Sequence, residues 1–368
     1  MNTEKKLSPS PCFFLGASTP RGFYSLFDEL YDPEDGWRLY IIKGGPGTGK
    51  STLMKRIAAE CDKSGLYCER IFCSSDPSSL DGVIIPHLKT SICDGTPPHT
   101  AEPRFPGVSE VFVDLGKCRD DGKLRENSSE IISLTLENER EHKKCVAFLR
   151  AAAAVSANVK SKLLPAVDTV KLQRFSESLA ERELGGGTDK RGSVKRRFLS
   201  AFTPSGAAVF YDTFTGMCER IIILDDPFGL ASGAIIRFMA LEAAGRGYSV
   251  TECLSPMAPE GAPFALILPE TGLGIIVSDR RNVCPFEGAR RVNCSRFLDK
   301  NEIRRYRNRI VFGRKTYDEF IDEALKRLEN AKEIHDRLEK YYIEATDFSE
   351  VRRVTRKLLT EIFGSENA

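Results

Sequence analysis

Nine consecutive residues, Gly44-Gly45-Pro46-Gly47-Thr48-Gly49-Lys50-Ser51-Thr52, have the types and spacing needed to hold a phosphate chain. They satisfy the pattern G-x-x-x-x-G-K-[ST]. Glycines reach backbone angles closed to other residues and keep side chains away from an approaching anion. Successive backbone N–H groups then turn inward as an anion nest, and a helix starting near Lys50 adds the positive end of its dipole. Lys50 brings a full charge to the β- and γ-phosphates, the Ser51 hydroxyl offers a ligand to Mg²⁺, and Thr52 supports the α-phosphate. The ligand these residues imply is a purine nucleoside triphosphate, ATP with Mg²⁺.

Phosphoryl chemistry on such a loop needs a carboxylate at the end of a neighbouring strand to hold the metal. Asp94 is the first candidate, because Thr90-Ser91-Ile92-Cys93 leads into it as a short strand. Asp76 and Asp81 are alternatives, although Asp76-Pro77 and Asp81-Gly82 also read as turn formers. Gly95 follows Asp94, so no glutamate stands where many such enzymes keep a water-activating base. Asp76, Asp81 and His99 remain as candidate bases. Without that glutamate the expected basal turnover is slow.

The elements that position these residues follow from hydrophobic pattern. Arg38 to Lys43 is a short apolar run suited to a buried parallel strand. Thr52 to Asp62 carries Leu53, Ile57 and Ala58 at helical spacing. Tyr67 to Cys73, Val83 to Ile85 and Thr90 to Cys93 read as further strands. Strands alternating with a helix define an α/β fold with a mostly parallel sheet flanked by helices. Ser128 to Leu184 reads as helical with a break near Pro165, and 315–362 as a matching helical segment.

The two helical segments belong to an internal repeat at a separation of about 180 residues. Thr19-Pro20-Arg21-Gly22 returns as Thr203-Pro204-Ser205-Gly206, and Asp28 as Asp212. Leu39-Tyr40-Ile41-Ile42 returns as Ile221-Ile222-Ile223-Leu224, Pro86 as Pro269, and Asp94 pairs with Asp279. Residues 1–184 form a nucleotide-binding half, 185–196 a glycine-rich linker, and 197–368 a second half, each half ending in a helical extension. In the second half the loop has decayed. Its counterpart is Asp226-Pro227-Phe228-Gly229-Leu230-Ala231-Ser232-Gly233, where Ala231, Ser232 and Gly233 replace Gly49, Lys50 and Ser51. Asp225 and Asp226 now stand where phosphates would lie and repel them. This half is expected not to bind nucleotide.

These blocks resemble a family of uncharacterised bacterial P-loop ATPases, mostly clostridial, built from two tandem P-loop halves. The resemblance rests on Gly22-Phe23-Tyr24-Ser25, Lys43 to Thr52, Cys73-Ser74-Ser75-Asp76-Pro77, Ser79 to Pro86 and Asp94 to His99. It continues in His335-Asp336 and Glu339-Lys340-Tyr341-Tyr342-Ile343-Glu344-Ala345, and covers nearly the whole chain. It implies nucleotide binding and hydrolysis and names no substrate. The second loop departs from the family's usual pattern.

Composition narrows the partners. No apolar stretch approaches the roughly 20 residues of a membrane span, and Met1 to Pro11 lacks a signal-peptide pattern, so a cytoplasmic protein without a membrane partner is expected. The 11 cysteines are odd in number and form no Cys-x-x-Cys pair, which points to reduced thiols rather than zinc or disulfides. Within 280–315, 12 basic residues face 3 acidic ones. Arg290, Arg291, Arg296, Arg304, Arg305, Arg307 and Arg309 offer a nucleic-acid surface, a solvated face, or an arginine finger for the first site. His335 and Glu339, one helical turn apart, offer a metal pair or a surface polar pair. The reading of function is an ATPase acting as a switch, with an oligomeric or protein partner, against a P-loop kinase or an ATP-regulated nucleic-acid protein.

Overall fold

The computed structural model describes residues 10–97, 104–187 and 192–364. His99 and residues 188–191 of the expected linker lie outside the described residues. The first half opens with β1 (Cys12–Phe13) and a hairpin of β2 (Gly16–Thr19) and β3 (Gly22–Ser25). It continues through β4 (Arg38–Lys43), α1 (Lys50–Lys63), β5 (Glu69–Phe72), β6 (Leu80–Ile85), β7 (Thr90–Asp94) and β8 (Glu110–Asp114). It ends in α2 (Asp121–Glu126), α3 (Ser128–Leu163) and α4 (Thr169–Glu183). The second half opens with β9 (Val194–Arg197), β10 (Ser200–Thr203), β11 (Gly206–Val209) and α5 (Tyr211–Met217). Next come β12 (Arg220–Asp225), α6 (Ser232–Gly245), β13 (Val250–Cys253), β14 (Ala265–Leu268), β15 (Leu273–Ser278) and β16 (Arg290–Asn293). It closes with α7 (Lys300–Arg305), α8 (Arg307–Glu344) and α9 (Phe348–Phe363). Strand β9 begins inside the stretch 185–196 read as linker.

The chain is thus an α/β protein of two similar halves, each a six-stranded sheet flanked by helices. The orders β1-β5-β6-β7-β4-β8 and β9-β13-β14-β15-β12-β16 agree strand for strand. Both sheets are mixed: five strands of each run parallel, as expected, and one, β6 or β14, runs antiparallel to both neighbours. The connections flanking β6 are too short for a helical crossover, so the chain must reverse. Asp81-Gly82, which also read as a turn, lies within β6. The repeat extends to the core. Leu53, Met54, Ile57, Ala58 and Cys61 of α1 are buried, and so are Ile235, Ile236, Met239, Ala240 and Ala243 of α6, each 182 positions later. The strand register corrects one equivalence. Ile42 pairs with Asp94, and its counterpart Leu224 pairs with Val277, so Asp94 answers Val277 and not Asp279. Asp279 caps a turn, accepting from the N–H groups of Arg281 and Asn282.

The halves share one core. Phe13, Phe14, Leu15, Ile41 and Ile71 pack with Phe198, Phe214, Ile223 and Ala265. The equivalent residues Phe14 and Phe198 exchange backbone hydrogen bonds at 2.9 Å each way, which marks a local two-fold. Buried Arg197 crosses between halves to Glu69 at 2.9 Å and Glu29 at 3.5 Å.

The helical extensions are exchanged. Helices α3 and α8, 36 and 38 residues long, span roughly 54 and 57 Å at 1.5 Å per residue. They lie antiparallel: Leu134 meets Ile334 and Leu338, Cys145 and Leu149 meet Ile321, Ala324 and Leu328, and Val159 sits against Gly313. Each rod carries the chain to the other sheet. Leu172 and Leu179 of α4 pack with Ile222 and Ile235 of the second half. Val351 and Leu358 of α9 pack with Tyr40, Leu53 and Ile57 of the first. All 11 cysteines are free thiols and all but Cys12 are buried, so their count reflects core packing. Among the described residues no helix is long and apolar enough to cross a membrane.

Candidate functional site

The glycine-rich loop leaves the end of β4, where Leu39 to Ile42 are buried on both faces, and enters α1 at Lys50. Two turns of the loop demand glycine: Gly47 has φ +66° and Gly49 has φ +87°. Buried Thr48 braces the loop by donating from Oγ1 to the Gly45 carbonyl at 2.9 Å. Lys50 curls back over it. Its Nζ donates to the carbonyls of Gly44 at 3.0 Å and Gly45 at 2.7 Å and stands 3.5 Å from the Asp94 carboxylate. Asp94 ends β7 beside β4, and its Oδ1 accepts from the N–H of Thr96 at 2.8 Å and from its Oγ1 at 2.6 Å. The turn role and the site role of Asp94 therefore coexist, one on each oxygen. The Ser51 Oγ accepts from the Leu80 N–H at 3.0 Å, tying α1 to β6. Thr52 is exposed, and Pro46 is half-buried.

Among the described residues no protein acceptor takes the backbone N–H groups of Gly45, Gly47, Thr48, Gly49, Lys50 or Ser51. The helix start and the loop therefore present free donors around a buried cation, which is the arrangement that binds oxyanions.

The other two carboxylates occupy the same edge. The β6–β7 register sets Asp81 across from Asp94, buried beside Cys73. Burial first and the Asp81 charge second push the Cys73 thiol up. Asp76 lies in the connection after β5 and accepts from Ser78 N–H at 3.1 Å and Ser78 Oγ at 2.8 Å. Burial opposes its charge, but the Ser78 bonds and the nearby Lys332 ammonium hold its carboxyl below the usual range. Its Oδ1 is committed to Ser78, which holds the carboxylate in place to accept a further hydrogen bond.

The wall over the loop comes from the other half. The Tyr342 ring lies against Gly45, so close that a Cβ there would stand 2.4 Å from it. Glu339 and Ile343 cover Gly47, and Val351 and Phe348 flank Gly49. Lys332 ion-pairs with Asp76 at 3.5 Å and with Asp336 one turn on. His335 sits among Glu339, Lys332, Asp336 and Asp76, and burial lowers its basicity most. His335 and Glu339 are therefore half-buried against the loop face, neither a surface pair nor part of a metal cluster. No group of three or more His, Cys, Asp or Glu side chains among the described residues could hold a metal ion. The sequence signal for this wall was the block 335–345, whose position in the fold its own half did not reveal.

The basic stretch 280–315 is spent elsewhere. Arg280 and Arg281 pair with Asp318, Arg290 with Glu183, and Arg291 with Asp225, while Arg296 lies over Phe175 and Phe297. Arg305 faces Glu302, and Arg309 donates to Asn158. None of these contacts reaches the 44–52 loop, so the arginine-finger expectation for 290–309 is not met.

At the second loop Asp226 is 1% exposed, and one of its carboxylate oxygens accepts from the N–H groups of Ala231 and Ser232, both at 2.8 Å. Those donors are the counterparts of Gly49 and Lys50. Asp225 is held by Arg291 through bonds of 2.7 and 3.0 Å. Comparison of the chain with protein-family models, curated proteins and solved structures finds no match.

Proposed function

We propose that the protein is a P-loop nucleotide-binding protein that takes Mg-ATP at Gly44–Thr52 and hydrolyses it slowly, as a switch. The observation that carries this reading is the contrast between two equivalent nests. In the second half a carboxylate fills the nest, which is what an oxyanion-binding loop does with an oxyanion from its own chain. In the first half the same donors have no protein acceptor, and a lysine stands in place of Ser232.

On binding, Lys50 exchanges the Gly44 and Gly45 carbonyls for phosphate oxygens, a charge-assisted bond stronger than the neutral ones it gives up. Mg²⁺ takes hard oxygen ligands and keeps most of them from water and phosphate. Ser51 Oγ, next to Lys50 in sequence, and the Asp94 carboxylate, 3.5 Å from its Nζ, are hard oxygens that fit that demand; the metal would supply charge neutralisation on the phosphates. In hydrolysis a water oxygen bonds to the γ-phosphorus while the bond to the β–γ bridging oxygen breaks. The electron pair leaves on ADP, and both water protons end on the released phosphate as H2PO4−.

The deciding experiment is titration of purified protein with Mg-ATP by calorimetry, followed by phosphate release, beside Lys50→Ala. Saturable one-site binding that Lys50→Ala removes is the expected result. A wild-type protein that binds no nucleoside triphosphate sinks the reading.

A further inference from the structure

Building on that reading of the first loop, we propose that the site is completed by the second half, with Lys332 of α8 as the cation that meets the terminal phosphate. Several observations converge on it. Helix α8 crosses the mouth of the loop, with Glu339 and Ile343 over Gly47 and Tyr342 over Gly45. Two turns earlier the same helix sets Lys332 against Asp76, in the connection between β5 and β6. That connection is tied to the phosphate loop through Leu80 and the Ser51 hydroxyl. The carboxyl-terminal ends of β4, β5 and β7 face the same way, because β5 and β7 each run antiparallel to β6 and β4 runs parallel to β7.

Lys332 is a held but movable charge. Its side chain is 26% exposed, and its partners are two carboxylates rather than packed apolar groups. A triphosphate brings more negative charge than Asp76 and Asp336 together, so the ammonium can exchange one partner for a phosphate oxygen without being left bare. Released from Lys332, Asp76 keeps its Ser78 bonds and remains free to orient water. In phosphoryl transfer a cation delivered from outside the loop stabilises charge that grows on the transferred group. The arginines of 290–309 lie before or at the first turn of α8, about 30 residues along the chain from Glu339, which meets the phosphate loop. Lys332 is on the rod that lies against Gly45 and Gly47, and α8 runs back along α3 to the second loop, where Arg314 donates to the Pro227 carbonyl. A charge engaged by nucleotide at one end of α8 therefore pulls on a helix anchored at the other.

The test compares wild-type protein with Lys332→Met and Lys332→Arg, measuring Mg-ATP affinity by calorimetry, single-turnover phosphate release, and thermal melting without nucleotide. Binding of ADP with aluminium fluoride, a mimic of the transferred phosphoryl group, is measured beside them. Lys332→Met is expected to bind ATP within about threefold of wild type, lose on the order of 100-fold in turnover, and lose the tighter binding of the mimic. Lys332→Arg is expected to recover most of both, since it restores the charge. Folded Lys332→Met protein with turnover and mimic binding within about twofold of wild type overturns the inference while leaving the ATP site standing. Parallel loss of ATP affinity and melting temperature, unrescued by arginine, also overturns it by showing a structural role. Should Lys332→Met fail to fold, Lys332→Gln, which removes the charge and keeps a polar chain end, takes its place under the same criteria. A wild-type protein that binds no ATP removes the reading of the loop first, before any variant is read.

Discussion

The two glycine-rich loops began as the same strand–loop–helix unit and differ in what fills them. In the first, Lys50 reaches over a ring of free N–H donors and is balanced by Asp94. In the second, Ser232 carries no charge, and Asp226 turns inward to accept from Ala231 and Ser232. A nest of helix-start N–H groups is costly to leave bare when buried, because each unmet donor loses its hydration. The second half meets that demand from its own chain, permanently. The first half leaves it to a ligand. The surroundings differ in the same sense: Gly47 lies under Glu339 and Ile343, whereas Gly229 lies under the flexible end of Lys160. One loop is closed by its own carboxylate, and the other keeps its donors without a protein acceptor.

The sharpest way to break this comparison is at the lysine. Lys50→Ala should weaken Mg-ATP binding by roughly 100- to 1000-fold, or ~3–4 kcal/mol, by removing the charge-assisted bonds. Ser232→Ala should leave ATP affinity unchanged in the same calorimetric titration. Equal effects at the two positions would show that the loops are not specialised.

At the second loop, Asp226→Ala should cost about 2–3 kcal/mol in stability by stranding two buried N–H donors. Added phosphate or sulfate should then raise the melting temperature of this variant more than that of wild type, because an external anion replaces the carboxylate. A melt insensitive to the substitution would mean the nest is not a demanding one.

Gly47→Ala and Gly229→Ala share a positive φ, so both should lose about 1–2 kcal/mol from backbone strain. Gly47→Ala should lose more, because the new methyl meets Glu339 and its backbone carbonyl as well as Ile343. Urea unfolding of the pair measures the difference directly. The smallest effect is expected at Arg291→Ala. Its pair with Asp225 is more than a third exposed on the arginine side, so screening should hold the loss below ~1 kcal/mol.

Much of this was legible in the chain. The loop, its flanking strand and helix, the repeat at about 180 residues and the replaced motif of the second loop all follow from residues whose roles are local. A glycine at positive φ, a lysine after the last glycine and a four-residue apolar run need no knowledge of distant partners. The reversal of β6 went unread although its signal was in the chain: the connections on either side of it are too short for a helical crossover. The pairing of Asp94 with Asp279 failed for a related reason: matching by residue type ignored the register, which hydrogen bonds to β4 and β12 set.

By itself, then, the sequence determined which half carries the phosphate-loop pattern, since that pattern resides in nine adjacent residues. It also determined that two long helices would follow the sheets. Only the tertiary structure decided what those helices do. Rods of 36 and 38 residues carry each half's last helix past its own sheet. They pack against each other and carry the chain onto the opposite half, bringing Glu339 and Tyr342 over a loop nearly 300 positions earlier and Lys332 against Asp76. No local pattern records such a meeting, because it is set by the length of the rods and by the apolar faces waiting on the far sheet.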